Sequence, residues 1–301
     1  MTRFRGSCGP TMFETLSAGR RTAASTAFGN TNEERVTLDI GAARSAARIL
    51  GAGRLERRRL GELPPEVRPS DEDEAYVLQD VLHERLIEAG RGAVAGHKIG
   101  CTTPIMQEFL GIHNPCAGGV FGSTAHTASG VFRFDELLHP GVECEMAVRL
   151  GADLAPAGRP FDRESVAPAV DAVIAAIEVV DDRWADYKAI DTPTLIADDF
   201  FGAGCVLGEV DAGWRALYLA DVTGSMTING EVVGRGKSAD IMGHPLNALA
   251  WLANLMADRG KTLRAGEFVL LGSIVETRWV SKGDLVEIEL KGLGTATARF
   301  E

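Results

Sequence analysis

Apolar positions along the chain recur with two different periods, and the change between them divides the sequence. Between residues 42 and 50, Ala46, Ile49 and Leu50 fall on one side of a helix. Pro64, Pro65 and Pro69 then interrupt the chain. A second helix starts at Ser70, which is suited to cap it, with Asp71, Glu72 and Asp73 in a first turn that complements the helix dipole. Its apolar stripe is Val77, Leu78, Val81, Leu82 and Leu86, ending at Gly90. From Val94 the texture shifts to short apolar runs punctuated by glycine. The spacing predicts strands over 96–100 and 142–150, and a helix over 168–176 that runs into Ile177-Glu-Val-Val180. Asn229-Gly230, between Met226-Thr-Ile228 and Val232-Val233, is the preferred pair for a type I′ hairpin. Pro245 opens a helix with Leu246, Leu249, Ala250, Leu252 and Ala253 on one stripe, ending before Gly260. Residues 268–275 and 285–290 read as strands, with Lys282-Gly-Asp284 turning into the last pair. Helices first, then mostly hairpin-linked strands with one or two inserted helices, predict an α+β fold with a curled, mainly antiparallel sheet. The expected division is a flexible extension over 1–35, a helical part over 36–93 and a β-rich domain over 94–301.

Composition narrows the function classes. Of 301 residues, 31 are Lys or Arg and 42 are Asp or Glu, a formal charge of −11. That surplus of acid argues against sequence-independent nucleic-acid binding, which needs a basic face. No run approaches the ~20 apolar residues needed to span a bilayer. The first 30 residues lack the apolar core of a signal peptide, and Glu14, Glu33 and Glu34 count against a transit peptide. Cys8, Cys101, Cys116, Cys144 and Cys205 are odd in number and contain no Cys-x-x-Cys, which favours a reducing compartment over a disulfide framework. The expected location is cytoplasmic.

Glu143 and Glu145 carry the most chemical information. On a strand, residues two apart share a face, and two adjacent carboxylates repel unless a cation holds them or water solvates both. A solvent-exposed strand face is the bland alternative. Against it, Val142, Cys144, Met146 and Val148 make the opposite face apolar, and the glutamate face continues into Ala147 rather than more charge. Hard oxygen ligands suit Mg²⁺ or Mn²⁺. Glu178, between Ala176-Ile177 and Val179-Val180, is a candidate third carboxylate; a helix-end glutamate paired with Arg183 is the alternative, and Asp181 or Asp182 is a rival acid. Lys98 lies among glycines and apolar residues. It reads either as an ordinary surface lysine or as a group beside the carboxylates that binds a substrate carboxylate or transfers protons with a lowered pKa. Ser273 reads as a turn serine or as a donor to an anionic ligand.

Six stretches carry a family resemblance: Gly-His-Lys-Ile-Gly-Cys-Thr-Thr (96–103), Val-Glu-Cys-Glu-Met-Ala (142–147), Ala-Ile-Glu-Val-Val-Asp-Asp-Arg (176–183), Ile-Ala-Asp-Asp (196–199), His-Pro-Leu-Asn-Ala-Leu-Ala-Trp-Leu-Ala-Asn (244–254) and Ala-Gly-Glu-Phe-Val-Leu-Leu-Gly-Ser (265–273). In this order, over roughly residues 70–301, the chain resembles the 2-keto-4-pentenoate hydratase / 4-oxalocrotonate decarboxylase family of the fumarylacetoacetate hydrolase superfamily. The resemblance implies a twisted, mainly antiparallel β-roll with an N-terminal helical part, and a homo-oligomer. It puts Mg²⁺ or Mn²⁺ on Glu143, Glu145 and Glu178, where the metal chelates the 2-oxo oxygen and C1 carboxylate of a small 2-oxo acid. Lys98 matches the family's active-site lysine, and Ser273 a serine near the substrate carboxylate; Thr102 is counted with the substrate-binding residues. Hydration and decarboxylation both pass through an enolate that a divalent cation stabilises.

Two departures bear on the reaction. Hydratases of the family tend to show Pro-Asp-Tyr-Gly where this chain has Pro115-Cys-Ala-Gly118, and Asp198-Asp199-Phe200-Phe201 departs from the usual Ala-Asp-Asn. The expected activity is water addition to a short unsaturated 2-oxo acid, with decarboxylation of a 2-oxo-hexenedioate as the alternative. C–C hydrolysis needs a water-activating His/Glu pair, for which His97, His113 and His126 are the nearby histidines, and ranks lower. A non-catalytic partner subunit is the reading from a different class.

Overall fold

The computed structural model describes residues 38–301 except residue 211; the extension expected over 1–35 lies outside the described residues. Helices α1 (Ile40–Leu55) and α2 (Glu72–Leu86) come first. Helix α1 is capped by Asp39 and buries Ala43, Ala46, Ala47 and Leu50. Small side chains there let the helices close up, and Arg54 leaves its last turn pointing inward. The cap of α2 is Asp71, one residue later than expected, because its carboxylate accepts from the Glu74 amide at 2.9 Å. Ser70 instead donates both its amide and its hydroxyl to Glu74. Leu78, Leu82 and Leu86 are buried as the stripe predicts, whereas Val77 is exposed.

Strands β1 (Val94–Gly100), β2 (Cys116–Phe121), β3 (Ala125–Thr127), β4 (Ser129–Phe132), β5 (Pro140–Leu150) and β6 (Val170–Asp181) follow, with helix α3 (Pro104–Leu110) after β1 and the single turn α4 (Arg163–Val166) before β6. Next come α5 (Thr192–Ala197), β7 (Gly202–Leu207), β8 (Thr223–Ile228), β9 (Glu231–Lys237), α6 (Pro245–Asp258), β10 (Phe268–Trp279), β11 (Leu285–Leu290) and β12 (Gly294–Phe300). Two sheets result, ordered β2-β1-β10-β5-β6-β7-β3 and β4-β12-β11-β8-β9. Most neighbours are antiparallel, but β1/β10, β4/β12 and β3/β7 are parallel, so the sheets are mixed. Among the described residues neither sheet closes into a barrel.

The helix expected over 168–176 is corrected: Val170–Asp181 is one continuous strand, hydrogen-bonded to β5 on one side and β7 on the other. Its alanines and valines are buried on both faces, the continuous apolar run of a central strand rather than a helix stripe. The hairpin at Asn229-Gly230 forms as expected, with φ of 52° and 82°, the left-handed pair of a type I′ turn. Helix α6 likewise starts at Pro245 and stops before Gly260.

Alternation along β5 separates two environments. Cys144 faces the five-stranded sheet, its Sγ near Ser225 O and the Gly224 backbone, and it joins Val142, Met146 and Met226 in the main core with the N-terminal helices. The opposite face of β5 and β6 carries Ala147, Ala172, Ile174 and Ala176, part of a separate small apolar cluster with Val120, Cys205, Phe268 and Leu270. Glu143, Glu145 and Glu178 continue those same two rows.

Candidate metal centre and active site

Residues Glu143 and Glu178 are direct partners across β5 and β6, and Glu145 is two residues further on the same face. One oxygen from each of the three carboxylates lies within 4.8 Å of the others. Glu145 and Glu178 are buried and Glu143 is half-buried. In a flat sheet Lys98, three strands from β6, would sit about 14 Å away from it. Its Nζ is nevertheless in ion-pair contact with Glu178 Oε1, so the sheet curls until the inner faces of β1 and β6 meet. Gly118 on β2 and Gly202 on β7 let Asp199 lie close beside this contact: a Cβ on Gly118 would meet Asp199 Cβ at 3.0 Å, and one on Gly202 would meet Asp199 O at 3.1 Å.

Backbone irregularity in β10 completes the site. Its pairing with β5 shifts around 270–275, and Gly272 has φ of 136°. The bulge turns the Gly272 amide out of the ladder and onto Glu145 Oε2 at 2.6 Å. Thr102 packs against this glycine, where a Cβ would meet Thr102 Oγ1 at 2.7 Å. Ser273 is the register partner of Glu145, and its hydroxyl donates to Val275 O at 2.5 Å. Thr277 donates to Glu143 Oε1 at 2.5 Å. The six residues singled out from sequence are therefore gathered: Glu143, Glu145, Glu178 and Lys98 by direct approach, Thr102 and Ser273 through Gly272.

Electrostatics leave the cluster short of positive charge. Burial, then repulsion from Glu178 and Glu143, holds the Glu145 carboxyl well above its usual range, although the Gly272 amide opposes this. Burial likewise raises Glu178 despite Lys98. Burial disfavours the Lys98 ammonium, but Glu178, Glu143 and Glu145 more than offset it and its pKa rises. Of the readings open for Lys98, a lowered pKa is the one this cluster opposes, because three carboxylates outweigh desolvation. Glu178 Oε1 is buried and has the Lys98 ammonium as its one close partner. An all-oxygen donor set and one cation against three carboxylates fit a hard divalent ion.

The rival acids serve the scaffold. Asp181 accepts from the Leu138 and His139 amides, and Asp182 from the Trp184 amide. Arg183 pairs with Asp198 at 2.9 Å and not with Glu178. His97 does meet a glutamate, Glu267 at 3.5 Å, but on the strand face opposite Lys98. His126 stacks edge-on with Phe132, and His113 is exposed. Cys101, Cys116, Cys144 and Cys205 are free thiols.

Sequence reasoning missed a second polar group beside the first. Asp199 is fully buried; its Oδ1 accepts from His83 Nε2 at 2.7 Å and the Gly119 amide at 2.9 Å, and its Oδ2 from Arg54 Nη2 at 3.0 Å. Burial opposes its charge, but His83 and Arg54 hold its pKa well below the ordinary carboxylate range. The adjacent glycines Gly118-Gly119 in a strand were the available signal, marking a close approach.

A curled mixed sheet with converging glutamates on its inner face defines a fold class, and the chain belongs to it: residues 122–301 match the fumarylacetoacetate (FAA) hydrolase C-terminal family. Within that family it is 37% identical over 231 residues to a 2-keto-4-pentenoate hydratase of Paraburkholderia xenovorans, covering 76% of this chain and 84% of the relative. It is 34% identical over 227 residues to a 4-oxalocrotonate decarboxylase of Pseudomonas putida, covering 75% and 84%. The crystal structure of a Pseudomonas putida 4-oxalocrotonate decarboxylase with magnesium and adipate superposes with a TM-score of 0.82 at 29% identity, covering 88% of this chain and 99% of that one. These relatives are lyases, and the solved one holds a divalent metal. Among the described residues no helix is long and apolar enough to cross a membrane.

Proposed function

We propose that this protein is a metal-dependent lyase of the 2-keto-4-pentenoate hydratase type, adding water to a short unsaturated 2-oxo acid. The convergence of Glu143, Glu145 and Glu178 beside Lys98 carries the reading. The three glutamates would hold Mg²⁺ or Mn²⁺. Bound there, the ion supplies Lewis acidity at the 2-oxo group and C1 carboxylate, where negative charge develops. Lys98 is assigned the proton transfers, because its ion pair reaches the cluster and its Nζ is held on a second side by Phe200 O at 3.0 Å. Thr102 and Ser273, on either side of Gly272, are assigned to the substrate carboxylate. A homo-oligomer belongs to the same reading, on the family resemblance.

One observation favours the decarboxylase alternative. Cys116 stands where hydratases of the family carry an aspartate, and hydrogen bonding to Cys101 together with burial pushes its thiol far above the ordinary range. No ionised acid is offered at that position at neutral pH. Incubation of 2-hydroxypenta-2,4-dienoate and of a 2-oxo-hexenedioate with Mg²⁺ or Mn²⁺ separates the reactions: loss of the dienol chromophore without gas marks hydration, and CO₂ release marks decarboxylation. In either case Glu145→Gln is expected to lower metal-dependent turnover at least about 100-fold, with an unchanged circular dichroism spectrum. Retained turnover in that variant removes the metal centre.

A further inference from the structure

Three consecutive non-glycine residues adopt left-handed backbone: Asp199, Phe200 and Phe201, with φ of 51°, 44° and 66°. For a bulky aromatic such as Phe200 this region is an outlier, and it persists only where the surroundings over-determine it. Here they do. Asp199 is held by His83, the Gly119 amide and Arg54. Arg54 also donates to Asp198 Oδ1 at 3.1 Å and to Asp198 O at 2.6 Å, and Arg183 closes on Asp198 Oδ2 at 2.9 Å. Asp198 and Asp199 are fully buried. The approach is possible because a Cβ on Gly119 would meet His83 Cε1 at 2.6 Å, so β2 must be bare at that point. What the strained turn delivers is one group, the Phe200 carbonyl, which accepts from Lys98 Nζ at 3.0 Å.

We propose that Asp199, clamped by Arg54 and His83, is a positioning residue that fixes Lys98 for the reaction through the left-handed turn at Phe200. The clamp rests on the proposed role of Lys98, but its mechanical half does not. It links helices α1 and α2 to the turn before β7, elements that no local sequence pattern joins, and none of its hydrogen bonds is to Glu143, Glu145 or Glu178.

Crystal structures and kinetics of Asp199→Asn, measured beside Lys98→Met and the double variant, test both halves. In Asp199→Asn the Phe200 carbonyl is expected to leave Lys98 Nζ by more than about 1 Å. Its kcat is expected to fall about 10–100-fold, with KM and calorimetric Mn²⁺ affinity within about threefold. In the Lys98→Met background Asp199→Asn is expected to add no further loss, since a residue acting through another is silent once that one is gone. An unmoved turn, or losses that multiply, overturns the clamp. A moved turn with full activity in Lys98→Met instead overturns the role assigned to Lys98. Should Asp199→Asn fail to fold, His83→Ala and His83→Gln carry the same test: the glutamine keeps an N–H donor for Asp199 and is expected to recover the kcat that alanine loses. Equal kcat in those two variants counts against the clamp.

Discussion

At Gly272 the chain omits a side chain so that its amide can turn inward onto Glu145, in a conformation with φ of 136° that L-residues avoid. Thr102 occupies the space a Cβ would need. Gly272→Ala must therefore displace Thr102, move the bulge, or both, and moving the bulge costs Glu145 its hydrogen bond. The expected result is a loss of about 1–3 kcal/mol in stability, from strain and the uncompensated carboxylate, with turnover falling more than stability accounts for; chemical denaturation and steady-state kinetics measure the two. Glu143 and Glu145 were legible in the sequence because a two-residue period is sufficient to put them on one face; Glu178 was a candidate for its apolar neighbours, and the family resemblance, not the local pattern, chose it over Asp181 and Asp182. Arg54, His83 and Asp199 were not legible. Each sits in a local context that reads as ordinary helix end or loop, and the Arg54–Asp199 contact spans 145 positions of sequence, so only the folded chain brings the partners together.

Among the elements, β6 shows where pattern reading fails for a physical reason. A central strand buried on both faces has no polar alternation, so its run of alanine and valine is indistinguishable from a buried helix by periodicity alone. The hairpin β8–β9, by contrast, was legible because the Asn-Gly pair specifies a turn through backbone conformation and needs no tertiary partner. The two ends of β9 nevertheless differ in what they tolerate. Gly230, in the turn with φ of 82°, has nothing within 4 Å of a built Cβ, whereas at Gly236 a Cβ would lie 1.9 Å from Ile274 O on β10. Gly230→Ala is expected to cost about 1 kcal/mol, the left-handed penalty alone, and to leave turnover intact. Gly236→Ala forces β9 away from β10, the strand bearing Gly272, Ser273 and Thr277. Its expected cost is above about 3 kcal/mol, with turnover reduced in whatever folds. Thermal melts of both variants check the contrast.

For the molecule as a whole, the candidate centre is a stability liability that a ligand converts into a gain. The sheet must curl to bring Lys98 to Glu178, and the curl drives two buried carboxylates and a half-buried third together with one lysine to balance them. Buried charge without a matched partner is costly. An ion that binds the folded cluster and not the unfolded chain, where Glu143 and Glu178 are separated along the sequence, stabilises by mass action: about 2.7 kcal/mol at a hundredfold excess over its dissociation constant. For a chain of this size that corresponds to a rise in melting temperature of about 4–5 °C. Differential scanning calorimetry is expected to show this rise with Mg²⁺ or Mn²⁺ in the native chain and none in Glu145→Gln. Without metal the order is expected to be different: replacing Glu145 by an uncharged isostere relieves repulsion from Glu178 and Glu143 and keeps an acceptor for the Gly272 amide, so the metal-free variant melts no lower than the metal-free native chain. A destabilised Glu145→Gln that still gains stability from magnesium and manganese would place the ion elsewhere and leave the three glutamates as a purely structural cluster.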